Sequence, residues 1–521
     1  MASAQKIHAA QQTRTRADTS GVLFAVYAPF GDDPVLSHYP GKTPRPVHEH
    51  PLVKNLLKVA AAGAHVSALI DLVDDCTYLV EIPALQPKRV VVTSAWKQDM
   101  GAPCTLAGFL QRAHGRFPCS ALLLALEGHG AGYLPSIDGA AITPASTNGN
   151  DGRQWIVDAN GTKLREEDGG IPVLPVGFPT PPLDSPESLP VRLPLSTWDL
   201  GEALRRARAA QVPAPLVIHF NNCFNLSLEL LHTVAPFAGY ATAYGNYNFF
   251  TAGDTYPAVF EALRSSGGMS VETLAKRFGQ ENHAYLLAKQ NHPTLGGCVR
   301  LSRLKTIAAQ VDSLALELVK ALDPADPAWT ARRARIQTAI RRAQQLDADG
   351  DYGLEVPDGM SDLGSVAVAL QAEFPGPGIG SAAGNLLTAL NGIWLYGDHE
   401  RPWLDESQVW DFRARHLGLN VFLPDPDLKG VWDWRSPYYL AGRLGTGQPP
   451  AIKQQIPFLL ERNGKRAPWV QFIVDYHRDI PFDGYQRAQA PVFPVFNPEF
   501  KPKYPPPQDD RPTEPKKPTR R

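Results

Sequence analysis

Two residues that could act together in nucleophilic catalysis follow similar aliphatic segments. His129 lies in LEGHGAGY (126–133), after the run ALLLA, and Cys223 ends the stretch LVIHFNNC (216–223). A thiol becomes an effective nucleophile when a nearby imidazole assists its deprotonation. His129 and Cys223 are far apart in the sequence, so this chemistry requires a fold that brings the two turns together.

Each of the two residues also has a structural interpretation. A histidine in a glycine-rich turn is often only a surface residue, and cysteine is among the most frequently buried residue types. Two matching positions favour the functional interpretation, because reactive groups in parallel α/β sheets collect at the carboxyl ends of the strands. We therefore expect His129 and Cys223 to lie at the same edge of one sheet.

The segment after Cys223 has a helical pattern. Leu226, Leu230, Leu231 and Val234 can share one buried face of a helix. The pattern places Cys223 near the N-terminus of that helix, where the dipole and free backbone N–H groups favour a thiolate.

The elements that would position these residues alternate along the chain. Short apolar segments predict strands buried on both faces, at 22–28, 65–72, 76–82, 121–126 and 216–220. Helices are predicted between them, over 105–117 with Thr105 at the N-cap, and over 196–210. Their apolar stripes are Leu106, Phe109, Leu110 and Ala113 in the first helix, and Leu200, Ala203, Leu204 and Ala207 in the second. This alternation predicts an α/β fold with an open, mostly parallel central sheet flanked by helices.

Composition shifts divide the chain into segments. Residues 1–20 are polar and predicted to be flexible, and residues 21–300 carry the alternating strands and helices. A long loop rich in Asn, Gly and Pro interrupts them at 139–195, and loops of that length are usually functional or disordered. Residues 301–485 are predicted to form a helical region that completes the fold, and 486–521 a proline-rich tail.

The overall composition excludes several classes of protein. The 521 residues include 51 Lys and Arg against 52 Asp and Glu, so no global charge attracts nucleic acid or acidic lipid. No apolar run reaches the length that crosses a bilayer, and the N-terminus has no secretory hydrophobic segment. The five scattered cysteines argue against a disulfide framework or a zinc site. We expect a cytoplasmic protein that binds neither membrane nor nucleic acid.

Four motifs occur in an order that resembles the clostripain-like cysteine peptidases of the caspase-like superfamily. They are CTLAGFLQRAHGRFPCSALLLALEGHGAG (104–132), FNNCFNLSLELL (220–231) with Cys223 and Glu229, GLNVFLP (418–424) and WVQFIVDY (469–476). The resemblance runs from about residue 22 to about residue 480. It implies a caspase-like three-layer fold in which residues 21–300 form the peptidase domain.

The resemblance also implies roles for individual residues. Cys223 would be the nucleophile and His129 the general base and acid, acting as a Cys–His dyad on a protein or peptide substrate. The backbone N–H groups of Gly130 and Cys223 would stabilise the oxyanion. Self-cleavage within the 139–195 insert, at Arg153, Lys163 or Arg165, would free the site.

The sequence departs from this family at the substrate pocket. Asn221 stands where the family usually has an aspartate that binds a basic P1 side chain. Either the pocket prefers a polar or smaller P1 residue, or another carboxylate compensates. Asp254 in FFTAGDTYP is the best substitute, with the alternative that it is a turn residue beside Gly253.

Other interpretations of the whole chain stay open. Analogy with the superfamily implies a regulated intracellular bacterial peptidase, with a defence or cell-death pathway as one role. The alternatives are a catalytically inactive scaffold that binds protein partners and a cysteine hydrolase of non-peptide amides. No G-x-S-x-G motif supports a serine hydrolase, and the sequence does not determine an oligomeric state.

No cofactor is expected, with calcium as the alternative that the resemblance keeps open, and two segments resemble metal sites. DADGDYGLEVPD (347–358) spaces Asp347, Asp349 and Asp351 like a calcium loop, but Tyr352 occupies the position of the usual glycine. HEH (48–50) lacks the HExxH helix pattern of zinc peptidases. The arginines of ARRARIQTAIRRAQQL (331–346) fit the polar face of an amphipathic helix better than a nucleic-acid site.

Overall fold

The computed structural model describes eight ranges of the chain. The described ranges are 16–17, 21–137, 155–157, 163–165, 195–346, 360–426, 452–460 and 467–478. Short gaps within them fall at 31–33, 42, 44, 73–75, 97, 129, 131, 134–135, 246–247, 249, 291–295, 398–402, 405–408, 411–413, 415, 424 and 455. His129 therefore lies outside the described residues, whereas Gly128, Gly130 and Cys223 lie within them.

Strands and helices are numbered here in chain order. The strands are β1 (Arg16–Ala17), β2 (Val22–Pro29), β3 (His65–Asp71), β4 (Cys76–Ile82), β5 (Val91–Trp96), β6 (Ala121–Glu127), β7 (Ser136–Ile137), β8 (Trp155–Val157), β9 (Lys163–Arg165), β10 (Val217–Asn221), β11 (Tyr240–Tyr244), β12 (Met269–Ser270), β13 (Gly296–Arg300), β14 (Gln345–Leu346), β15 (Met360–Asp362), β16 (Trp394–Gly397), β17 (Trp403–Leu404), β18 (Val409–Trp410), β19 (Asn420–Phe422) and β20 (Ile452–Gln454). The α-helices are α1 (Pro34–Ser37), α2 (Pro51–Ala61), α3 (Pro103–Arg116), α4 (Thr197–Ala209), α5 (Leu228–Val234), α6 (Tyr256–Ser265), α7 (Val271–Gln290), α8 (Leu304–Ala321), α9 (Trp329–Arg341), α10 (Leu363–Glu373), α11 (Ile379–Asn391) and α12 (Pro468–Tyr476).

The central sheet has nine strands in the order β16-β13-β11-β10-β6-β2-β3-β4-β5. Its five middle strands, from β11 to β3, run parallel to one another. Two antiparallel strands extend the sheet at each edge. The predicted α/β fold with a mostly parallel central sheet is confirmed, and the five predicted strands correspond to β2, β3, β4, β6 and β10.

The sheet separates two apolar cores. On β2, Leu23 and Tyr27 belong to one core and Phe24 and Val26 to the other, because successive side chains of a strand point to opposite faces. The first core contains residues of α3, α4, α5 and α8 to α12, and the second contains residues of α2, α6 and α7. Helices therefore cover both faces of the sheet, which gives three layers.

The two predicted helices between the strands form as α3 and α4, and both predicted apolar stripes are buried. The predicted N-cap Thr105 is wrong, because α3 begins at Pro103 and its N-cap is Ala102. Proline suits the first helical position, where its fixed φ is already helical and its missing N–H has no partner to lose. The N-cap of α4 is Ser196, whose side chain accepts a hydrogen bond from the Asp199 N–H.

The predicted C-terminal region contributes to the first core. Helix α11 packs against both α8 and α10, and α12 packs on α8. The predicted tail at 486–521 lies outside the described residues. So do the predicted flexible N-terminus and the insert at 139–195, apart from β1, β8, β9 and Leu195. Among helices in the described ranges, none is long and apolar enough to span a membrane.

Candidate active site

The candidate site lies at the carboxyl ends of two neighbouring strands. β6 and β10 are parallel, and Glu127 at the end of β6 pairs in register with Asn221 at the end of β10. The turns that follow these strands carry Gly130 and Cys223, so the sheet brings the two sequence motifs side by side. His129 belongs to the first turn by sequence but lies outside the described residues.

Gly130 packs directly against the backbone of Cys223. A Cβ atom on Gly130 would lie 1.8 Å from the Cys223 carbonyl oxygen and 2.7 Å from its backbone nitrogen. Both of those atoms belong to backbone, so no side-chain rotation could relieve the contact. A glycine at 130 is therefore required for the two turns to meet.

The other glycines of the first turn have a different role. Gly128 and Gly132 have φ angles of 101° and 68°, a region that residues with a side chain rarely adopt. The Gly132 N–H donates to Asn225 Oδ1 over 3.2 Å. Asn225 in turn donates to Asn222 Oδ1 over 2.6 Å. The glycines thus bend the first turn so that it is hydrogen-bonded to the turn that holds Cys223.

Cys223 is a partly exposed residue whose sulfur is surrounded by backbone groups. The Asn248 N–H donates to Sγ over 3.3 Å, and the Asn248 carbonyl oxygen lies 3.5 Å from Sγ. Burial raises the pKa of the Cys223 thiol to about 11, and hydrogen bonds from the backbone of Asn248 and Gly130 offset part of this rise. The thiol is thus protonated at neutral pH unless a base removes its proton.

The prediction that a helix dipole favours the Cys223 thiolate is wrong. Helix α5 begins only at Leu228, after the Ser227 N-cap, and Cys223 lies in the preceding turn. Phe224 has a φ of 57°, an uncommon conformation for a bulky residue, so the chain between β10 and α5 is not helical at this position. The predicted apolar residues Leu226, Leu230, Leu231 and Val234 are all buried.

The late motif GLNVFLP supports the Cys223 turn from a neighbouring segment. The Asn420 side chain donates to the Gly245 carbonyl oxygen over 2.8 Å, and the Asn420 N–H donates to the Leu226 carbonyl oxygen over 2.9 Å. Glu229 on α5 accepts a hydrogen bond from the Phe422 N–H over 2.8 Å. Glu229 therefore fixes β19 against α5, which is a structural role.

A buried carboxylate that the sequence reasoning missed lies beneath the turns. Glu127 is fully buried, and both its oxygens accept hydrogen bonds from Asn221 Nδ2, over 3.2 and 3.1 Å. The Tyr256 hydroxyl also donates to Glu127. Burial raises the pKa of the Glu127 carboxyl to about 7, although the hydrogen bonds from Tyr256 and Asn221 lower it. The signal for this residue was an acidic side chain at the end of an aliphatic strand.

Asn248 continues the same hydrogen-bonded chain. Its Nδ2 donates to Asn221 Oδ1 over 3.0 Å, and its Oδ1 accepts from Asn282 Nδ2 over 2.7 Å. Asn221, Asn248 and Asn282 are all buried. We call Glu127, Asn221, Asn248 and Asn282 the amide chain. Asn221 was predicted to line a substrate pocket, and both ends of its side chain are engaged within the amide chain.

Asp254, the other predicted pocket residue, is partly buried at the start of α6. It accepts hydrogen bonds from Asn55 of α2 and from the Tyr285 hydroxyl of α7, each over 2.5 Å. The carboxylate in direct contact with Asn221 is Glu127. A role of Asp254 in substrate binding stays a prediction.

The remaining predicted residues are placed only in part. Arg153 and the calcium-like segment 347–358 lie outside the described residues. Lys163 and Arg165 belong to β9, which pairs with β8. In the HEH segment, His50 caps α2 and hydrogen-bonds to the Leu36 carbonyl oxygen, while His48 lies beside Glu49. Among the residues that the structure describes, no group of three or more His, Cys, Asp and Glu could hold a metal ion.

Comparison with known proteins gives matches among solved structures. No protein-family profile matches the chain, and no curated protein matches it significantly. A secreted C11 cysteine protease from Bacteroides thetaiotaomicron, in complex with an irreversible peptide inhibitor, is 13% identical with a TM-score of 0.47, over 77% of this chain and 92% of that one. An inactive zymogen C11 protease from Parabacteroides distasonis is 11% identical with a TM-score of 0.44, over 79% of this chain and 95% of that one. At such identities and TM-scores, function must be argued from the residues of this chain.

Proposed function

We propose that the protein is a cysteine peptidase in which Cys223 is the nucleophile and His129 the general base and acid. The observation that carries this proposal is the contact between the two turns. Gly130, the residue after His129, packs on the Cys223 backbone, and its own backbone lowers the pKa of the Cys223 thiol. The motif order described above, which resembles the clostripain-like peptidases, supports the same assignment.

The proposed reaction has two stages. His129 takes the proton of the Cys223 thiol, and the sulfur attacks the carbonyl carbon of the scissile peptide bond. The N–H groups of Gly130 and Cys223 hold the resulting oxyanion, and the leaving amine takes the proton from the imidazole. Water then hydrolyses the thioester and releases the acid. A base is needed because burial holds the pKa of the thiol well above neutral pH.

Comparison of cleaved proteins tests the proposed function. Cellular proteins would be exposed to the wild type or to Cys223→Ala, and new N-termini identified by mass spectrometry. We expect cleavage products that require Cys223. Products that are equally abundant with both proteins would favour the inactive scaffold, and a Cys223-dependent change confined to non-peptide amides would favour the other alternative. A regulated intracellular role in bacteria remains part of this proposal and rests on analogy alone.

The P1 preference depends on where the pocket obtains its negative charge. A buried carboxylate that pairs with a cationic P1 group contributes strongly to substrate binding. Truncating such a partner typically costs about 2–5 kcal/mol of binding free energy. If Asp254 supplies the charge, Asp254→Ala loses preference for Arg or Lys at P1. If Glu127 supplies it through the Asn221 contact, Glu127→Gln loses the preference and Asp254→Ala keeps it.

A pH series on peptides varied at P1 separates these two carboxylates. Because the pKa of Glu127 is raised to about 7, its charge is present above that pH and disappears below it. A basic preference that depends on Glu127 should therefore fade between about pH 8 and pH 6 in the wild type. A preference for Arg or Lys that survives both substitutions would rule out both residues, and a preference for small or polar P1 side chains would support an uncharged pocket.

Self-cleavage in the 139–195 insert is expected after Arg153, Lys163 or Arg165. Exposed loops are the usual sites of proteolytic nicking. Cleavage at Lys163 or Arg165 would require the β8–β9 pair to open, because a paired strand does not fit an extended peptide-binding cleft. Intact-mass measurement should show two fragments with the wild type and one chain with Cys223→Ala. An uncut wild type that reacts fully with an active-site probe would contradict a requirement for cleavage.

A further inference from the structure

Asn248 touches the proposed nucleophile with its backbone and the amide chain with its side chain. The Asn248 N–H donates to Cys223 Sγ, and the Asn248 carbonyl oxygen lies within reach of the thiol proton. Both ends of the Asn248 side chain are hydrogen-bonded, to Asn221 on β10 and to Asn282 on α7. The position of the N–H that faces the sulfur is therefore set by contacts to two other elements of the fold.

The amide chain has one direction when Glu127 is ionised. An ionised Glu127 can only accept hydrogen bonds, so Asn221 must turn its NH2 group toward Glu127 and its oxygen toward Asn248. Asn248 must then turn its own NH2 group toward Asn221 and its oxygen toward the NH2 group of Asn282. Asn221 and Asn248 each have one arrangement that satisfies their neighbours, and the hydrogen bonds at both ends of each side chain restrict its movement.

We propose that Asn248 is a positioning residue for Cys223, and that the amide chain holds its backbone N–H against the sulfur. The inference rests on the proposed function in that it takes Cys223 as the nucleophile. Hydrogen bonds to an ionised sulfur stabilise the thiolate more than the thiol, so a well-placed N–H raises the thiolate fraction at a given pH. It also keeps Sγ in the orientation needed for attack.

Other ionisable groups surround the amide chain and could influence the sulfur independently. On the same side of the sheet, His219 of β10 stacks on Phe278 and contacts Tyr256 and Tyr244 edge-on. Burial lowers the pKa of His219 to about 3, so its imidazole is neutral at physiological pH. Tyr256 and Tyr244 are likewise neutral there, because burial raises the pKa of each phenol. Glu127 is thus the group of this cluster that titrates near neutrality.

Alkylation of Cys223 by iodoacetamide tests the positioning role without using peptidase activity. The rate of modification of the Cys223 peptide would be followed from pH 6 to pH 9 by mass spectrometry, in wild type, Asn248→Ala and Asn282→Leu. Asn282 does not need to touch the sulfur for this effect, because it acts through Asn248. We expect alkylation about tenfold slower in Asn248→Ala and slower by a smaller factor in Asn282→Leu, with kcat reduced in parallel and KM within about twofold. In the double variant Asn248→Ala/Asn282→Leu, alkylation should be slowed by less than the product of the two single-variant factors.

Thr242→Val is the matched control. Thr242 is buried on β11 and donates to the Ala275 carbonyl oxygen over 3.0 Å, so the substitution removes a buried hydrogen bond near the amide chain without touching it. Its alkylation rate should equal that of the wild type. Thermal unfolding of each variant would confirm that it is folded, and Asn282→Leu provides the test if Asn248→Ala does not fold.

The possible results separate the inference from the proposed function. Wild-type or faster alkylation in folded Asn248→Ala and Asn282→Leu would overturn the positioning role, even if the wild type cleaves peptides. A slowing equal to that of Thr242→Val would overturn it as well. If both variants are alkylated more slowly and the wild type cleaves no peptide, the positioning role is upheld and the peptidase function is rejected.

Discussion

Cys223→Ala should lower kcat/KM for peptide hydrolysis by at least about 10⁴-fold, and His129→Ala should have a comparable effect. Removing the nucleophile leaves no atom that can form the thioester, and removing the imidazole leaves a thiol whose pKa is about 11. Cys223 is partly exposed in a turn, so the loss of unfolding free energy should stay within about 1 kcal/mol. Initial rates on a peptide pool and thermal unfolding measure the two quantities.

Cys119→Ala is the matched control for this prediction. Cys119 is also partly buried, and its sulfur lies 3.6 Å from His114 Nδ1, so the described structure contains a cysteine–histidine contact away from Cys223. Cys119 precedes β6, at the amino end of the parallel strands, away from the turns that hold Gly130 and Cys223. Wild-type activity in Cys119→Ala and none in Cys223→Ala supports the assignment. The reverse pattern would move the nucleophile to the other end of the sheet.

Gly130→Ala should lower kcat/KM by about 100-fold or more and reduce thermal stability. The added Cβ would meet the Cys223 carbonyl oxygen at 1.8 Å, and the two turns would have to separate to relieve the clash. Separation moves both the Gly130 N–H and the Cys223 sulfur, and the loss of one oxyanion donor alone typically costs about 10²–10³-fold in kcat. Overpacking of this kind typically costs about 1–3 kcal/mol in unfolding free energy.

Gly115→Ala provides the comparison for Gly130→Ala. A Cβ on Gly115 of α3 would meet nothing within 4 Å, and alanine in a helix is favoured over glycine by roughly 0.5–1 kcal/mol. Gly115→Ala should therefore be as active as the wild type and at least as stable. A Gly130→Ala protein with full activity would contradict the close packing of the two turns.

Local sequence patterns were sufficient for the elements that hold the site. β6 is almost entirely aliphatic and β10 begins with the apolar residues Val217 and Ile218, so both strands could be recognised without knowing their partners. Thr105 was wrongly predicted as an N-cap because Pro103 already starts the helix. By the same kind of error, the helix after Cys223 was predicted to begin too early in the sequence. The Ser227 N-cap marks its true beginning.

The amide chain could not be predicted from local patterns. Glu127, Asn221, Asn248 and Asn282 come from two strands, a loop and a helix, and only the register of β6 with β10 brings the first two together. No periodicity connects Asn248 with Asn282, because their contact depends on how α7 packs against the sheet. Such networks arise from tertiary packing, which neither spacing nor composition encodes.

Covalent labelling tests the central claim, that Cys223 is the nucleophile, most directly. The protein would be treated with a peptidyl chloromethyl ketone series varied at P1, and the modified residue identified by peptide mapping. We predict one label per chain on Cys223, formed much more slowly in His129→Ala and unaffected by Cys119→Ala. A protein that hydrolyses peptides while Cys223 stays unlabelled, or that carries the label on another cysteine, would contradict the account.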